Sequence, residues 1–148
     1  MPSTKRKLSV ALKRQKAMTV SRISIGKKKL VYVMLADRKL HYLNGKSRIA
    51  YIGTTKKGVS RISSSVAQRA NGILSIRGVF EFEVRVISCP PRQRVRTWVK
   101  LERALLMTFR EMFGEIPEAN SHGKKMKAKD EFSLFAKSRL RAILEDLS

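Results

Sequence analysis

The sequence predicts an α+β domain, a small antiparallel β-sheet flanked by helices in the order β-β-α-β-α-α. Three observations carry that expectation. Residues 30–36 form an unbroken, β-rich apolar run, and residues 79–87 alternate strictly between apolar and polar. Two longer stretches then repeat apolar residues at three- and four-residue spacing.

Each element has its own signal. Leu30-Val31-Tyr32-Val33-Met34-Leu35-Ala36 is apolar on both alternating faces, as expected of a strand buried on both sides at the centre of a sheet. Lys39 to Leu43 leads into Asn44-Gly45, a strong two-residue hairpin signal, and a further strand is expected from about Arg48 to Gly53. The chain therefore opens as a hairpin or a three-stranded meander. Val59, Ile62, Val66, Ala70 and Ile73 mark a helix from about Lys57 that closes near Asn71-Gly72. From Val79 to Ile87, Phe80, Phe82, Val84 and Val86 share one face, and Glu81, Glu83 and Arg85 the other. Such a strand is half exposed and belongs at or near an edge. Pro90-Pro91 ends it. Trp98, Leu101, Leu105, Phe109 and Met112 define a helix within Val95 to Phe113, stopped by Gly114 and Pro117. A last helix opens at Asp130-Glu131 with the stripe Phe132, Phe135, Ile143 and Leu147, its two acids at the N-terminal end that favours them.

The 148 residues fit one domain of ordinary size, and 43% of them are apolar, enough for a real core. Against 11 acids stand 33 Lys and Arg, a formal net charge of +22. The charge is unevenly spread: residues 1–80 hold 19 bases and the single acid Asp37, whereas residues 81–148 hold 14 bases and 10 acids. A folded chain with such a field is expected to bind a polyanion, nucleic acid before a membrane surface, because residues 5–16 lack the large apolar face of a membrane-surface helix. Residues 1–29 read as a basic arm, 30–123 as the domain proper, and 124–148 as a C-terminal helix packed on it. Cys89 is the only cysteine, which excludes an intrachain disulfide and a cysteine-rich zinc site. With no apolar stretch of spanning length, the expected setting is intracellular, cytoplasmic or nucleoid-associated.

One residue breaks the pattern. On a helical projection with Trp98 at zero, the apolar stripe of the second helix spans roughly 300° to 60°, and Glu102 falls near 40°, inside it. Lys100, Arg103, Arg110 and Glu111 all fall outside. A carboxylate aimed into an apolar layer is costly unless paired, hydrogen-bonded or bound to a metal, so Glu102 is a candidate functional residue.

The run Ala50-Tyr51-Ile52-Gly53-Thr54-Thr55 is followed by Arg61, ten residues after Tyr51, and preceded by Leu30-Val31-Tyr32 on an earlier strand. This order resembles the GIY-YIG nuclease family, over about residues 29–123. The resemblance implies a divalent-metal-dependent endonuclease that hydrolyses phosphodiester bonds, in double-stranded DNA before RNA. It assigns Tyr32 and Tyr51 to the two motif tyrosines, one of them the general base. Arg61 becomes the phosphate clamp, Glu102 the ligand of Mg²⁺ or Mn²⁺, and Asn120 the trailing motif asparagine. Leu40-His41-Tyr42 is the alternative first motif. Leu30 stands where the family usually has glycine, the gap from Tyr32 to Tyr51 is longer than usual, and Ser65 stands nearest the place of the histidine many members carry.

These residue types suit the chemistry. Phosphodiester hydrolysis needs a proton acceptor for the attacking water and positive charge on the phosphoryl oxygens. A basic field is expected to draw a tyrosine pKa down from about 10 toward neutrality. Lys56, Lys57, Arg61 and Arg69 are the cations expected to meet nucleic acid. One active site per chain implies a homodimer or two successive nicks wherever both strands are cut. A non-catalytic basic nucleic-acid-binding protein is the competing expectation; it explains the charge but not Glu102.

Overall fold

The computed structural model describes residues 6–15, 29–56, 59–120 and 132–148. It is an α+β fold: strands β1 (Leu30–Tyr42), β2 (Gly45–Thr55) and β3 (Phe82–Ile87), with helices α1 (Val59–Leu74), α2 (Thr97–Phe113) and α3 (Lys137–Leu147). The strands form one antiparallel sheet in the order β2-β1-β3. Residues 30–36 of β1 are all buried, so both faces of the central strand are covered, as the continuous apolar run requires.

The opening is a hairpin and not a meander, because Lys39–Tyr42 continues β1 instead of forming a strand of its own. The continuity is interrupted by bulges: Leu35 pairs with Ile49 but Leu40 with Ser47, leaving Ala36–Lys39 opposite Arg48 alone. The turn falls on Leu43-Asn44, one residue before the expected Asn44-Gly45, with Tyr42 paired to Gly45. Tertiary contacts set it there. Asn44 N–H donates to the Phe113 carbonyl (2.9 Å), Leu43 N–H to Glu115 Oε1 (3.1 Å), and Gly45, at φ 151°, lies against the Phe113 ring.

α2 supplies the main apolar stripe, with Trp98, Leu101, Leu105 and Phe109 buried as the spacing predicts. Phe109 meets Tyr42 edge-on at 5.1 Å and Phe113 at 4.6 Å, and fully burying a ring of this kind contributes roughly 1.5–3 kcal/mol. The helix ends at Gly114, in the left-handed region (φ 80°), whose N–H donates to the Arg110 carbonyl. α1 runs through Asn71-Gly72 to Leu74, with Ile62 and Ile73 buried.

Two expectations are corrected. β3 begins at Phe82, leaving Phe80 87% exposed, because Phe80 N–H is taken by the Asp37 carboxylate (3.2 Å) outside the sheet. The last helix begins at Lys137; Phe132 and Phe135 precede it in a turn and bend, still half-buried against the core, and Leu140, Leu144 and Leu147 form its buried face. Asp130-Glu131 lie outside the described residues. Residues 6–15 of the arm are exposed and carry no helix or strand. Among the described residues no helix is long and apolar enough to cross a membrane.

Candidate functional site

The site begins with the register of β1 on β2. Tyr32 pairs with Gly53, and Tyr51 lies two residues before Gly53, so these three positions share one face of the sheet. The two rings stand 5.8 Å apart between centroids, tilted by 38°. Gly53 is what lets them close. A Cβ there would stand 2.5 Å from Tyr51 Cε1 and 2.8 Å from both Cζ and Oη of Tyr32, distances no side chain tolerates. Gly53→Ala is therefore expected to cost about 1–3 kcal/mol by overpacking, lowering the midpoint of thermal unfolding by roughly 3–10 °C. A midpoint equal to wild type would show that the rings move freely.

α1 covers this face with one row of side chains. Ser65 Oγ lies 2.5 Å from the Tyr32 hydroxyl, and the Arg69 guanidinium stacks 4.0 Å from the centre of the Tyr51 ring. Arg61, Ser65 and Arg69 are spaced four apart, a ridge that drifts about 40° per step. The ridge thus climbs from exposed Arg61 to half-buried Ser65 and Arg69. Arg61 continues the row that touches both tyrosines, one turn out toward solvent.

The Tyr32 hydroxyl does not have the lowered pKa that the basic field suggested. Burial dominates and pushes it up to about 12, opposed by the Ser65 hydrogen bond, raised further by Tyr51 and only slightly lowered by Arg69. Tyr42 is elsewhere. Its hydroxyl donates to the Ile49 carbonyl (2.6 Å) and accepts the Glu118 N–H (3.1 Å), and burial raises its pKa to about 12 as well. Tyr32, not Tyr42, is the partner of Tyr51.

Asn120 sits on the edge of β2 that no strand among the described residues pairs with. Its carboxamide donates to the Ile52 carbonyl (2.9 Å) and accepts the Ile52 N–H (3.0 Å), and Ala119 N–H donates to the Ala50 carbonyl (2.8 Å). The side chain substitutes for a strand peptide and blocks an open edge. Arg69 reinforces this by donating to the Ala119 carbonyl (3.0 Å). Asn120 and Arg69 are thus committed to building the site. Lys56 is exposed, whereas Lys57 lies outside the described residues.

Glu102 is 3% exposed, the only buried charged side chain among the described residues. The start of α2 stands at the Leu30–Thr55 end of the sheet, where the Lys29 ammonium lies 4.6 Å over the Trp98 ring, and the far end of α2 meets the hairpin turn. Glu102, one turn past Trp98, is therefore at the same end of the sheet as Tyr32 and Gly53. Among the described residues no three His, Cys, Asp or Glu side chains gather to hold a metal. A single hard carboxylate oxygen still fits Mg²⁺ or Mn²⁺, which commonly takes one or two carboxylates and completes its shell with water and substrate oxygens.

No family model, curated protein or solved structure matches this chain. Sequence reading missed Ser65 and Arg69 as contacts of the tyrosines because both flank the apolar stripe of α1. The four-residue spacing from Arg61 was the signal available.

Proposed function

We propose that the chain is a divalent-metal-dependent endonuclease of GIY-YIG type that hydrolyses phosphodiester bonds in DNA. What supports this above all is the closure of Tyr32 and Tyr51 over Gly53 beneath the Arg61-Ser65-Arg69 row. Tyr32 and Tyr51 are only 3% and 9% exposed, so the scissile phosphate approaches over Arg61, the solvent-facing end of that row. The planar guanidinium of Arg61 holds the phosphoryl oxygens as they gain charge. In its phenolate form the Tyr32 side chain orients the attacking water and takes its proton, with the Ser65 hydroxyl donating to it and fixing its direction. Glu102 would hold the divalent cation, which when bound supplies positive charge to the phosphoryl and leaving oxygens.

Arg61 is exposed, so its removal should spare the fold. Arg61→Ala is expected to lower single-turnover plasmid nicking about 10²-fold or more, with the unfolding midpoint unchanged. Nicking at the wild-type rate would remove Arg61 from the site. Wild-type protein that binds DNA tightly yet never cuts it would favour the non-catalytic binding protein.

A further inference from the structure

The β1 bulge opposite Arg48 leaves Asp37, Arg38 and Lys39 exposed to solvent. It is held in shape. Asp37 N–H donates to the Glu81 carbonyl (3.1 Å), its carboxylate takes the Phe80 N–H, and the Arg38 guanidinium lies across Gly78, where φ is 84° and a Cβ would overlap it. Beside the bulge is a cleft of about 170 Å³ whose cationic lining is Arg38, Lys39 and Arg77, with His41. A second cleft of about 300 Å³ is lined by Arg69, the residue stacked on Tyr51. The two clefts share Ile76 and Glu118. They therefore adjoin, and together make a track from the tyrosine site to the bulge, on the order of 15–20 Å along β1.

We propose that this track carries the backbone of one DNA strand away from the scissile phosphate, with Lys39, His41 and Arg77 contacting its phosphates. The inference rests on the nuclease reading for its direction. At about 3.4 Å of helix rise per phosphate on one strand, the track spans roughly five nucleotides. Glu118, the acid that lines both clefts, is expected to weaken binding at the midpoint by like-charge repulsion. The bulge thus extends the site along the substrate and fixes the protein's register without reading bases.

The test is equilibrium binding of a mixed-sequence duplex about three helical turns long, in EDTA so that nothing is cut, from about 50 to 200 mM salt. The combined Lys39→Ala, His41→Ala and Arg77→Ala variant is expected to lose about tenfold or more in affinity at the low-salt end. Its log K against log salt slope should be shallower by about two. A matched triple on α3, Lys137→Ala, Arg139→Ala and Arg141→Ala, should keep a slope close to wild type, and Glu118→Gln should bind more tightly. An unchanged slope in the bulge variant, or an equal loss from the α3 variant, would overturn the track. Because no cleavage is needed, this outcome is separate from the fate of the hydrolytic mechanism.

Discussion

Tyr32→Phe is expected to lower the cleavage rate by about 10²–10⁴-fold, the range for losing a positioned general acid or base, while Tyr51→Phe costs far less. The substitution removes only the hydroxyl, and the ring stays over Gly53. Its pH signature is equally specific. With a pKa near 12, Tyr32 is a neutral phenol at ordinary pH, so a rate that depends on its phenolate climbs as pH rises. In Tyr32→Phe that climb should disappear. Stability carries the opposite sign: a tyrosine raised from 10.0 in the unfolded chain to about 12 in the fold stabilises the native state fully below pH 10, and that contribution is lost between about 10 and 12. Tyr42 adds a second loss over the same window. Alkaline unfolding of Tyr32→Phe, followed by circular dichroism from pH 8 upward, should therefore be shallower than wild type but not flat. A wild-type pH–rate profile in Tyr32→Phe would exclude this hydroxyl as the proton acceptor.

Glu102→Gln is the second large effect. The amide matches the carboxylate in shape but lacks its charge, so metal-dependent cleavage should fall by about 10³-fold or more. The effect on stability is read as the response to added cation, not from the metal-free midpoint. The two proteins should then diverge on adding Mg²⁺: wild type gains thermal stability by mass action, and Glu102→Gln does not. Cleavage that survives Glu102→Gln would show that the metal, where one acts, is held elsewhere.

Most of the architecture was legible because it follows from local patterns. The continuous apolar run placed β1 at the centre, the strict alternation placed β3 at an edge, and the helical arc placed Glu102 inside the core. What failed depends on contacts distant in sequence. The hairpin turn sits on Leu43-Asn44 because the end of α2 docks there, and Phe80 leaves the sheet because Asp37 takes its N–H. The start of α3 at Lys137 was hidden because Phe132 and Phe135 pack on the core without being helical. The motif order singled out Tyr32 and Tyr51, whose rings do meet, but the charge of the first half suggested the wrong direction for the Tyr32 pKa. Burial outweighs the field of the surrounding bases, most of which are solvated. The edge-blocking role of Asn120 was likewise unreadable, since it depends on β2 having no second neighbour among the described residues.

The proposed function turns on whether this basic fold, if it binds nucleic acid, also cuts it. Supercoiled plasmid incubated with the wild-type protein in Mg²⁺, and in EDTA at equal salt, measures it most directly. Conversion to nicked and linear forms is expected with Mg²⁺ and unaltered plasmid in EDTA, with DNA bound in both. Binding in both conditions with the plasmid intact in each, across several DNA substrates and with Mn²⁺ in place of Mg²⁺, would contradict it.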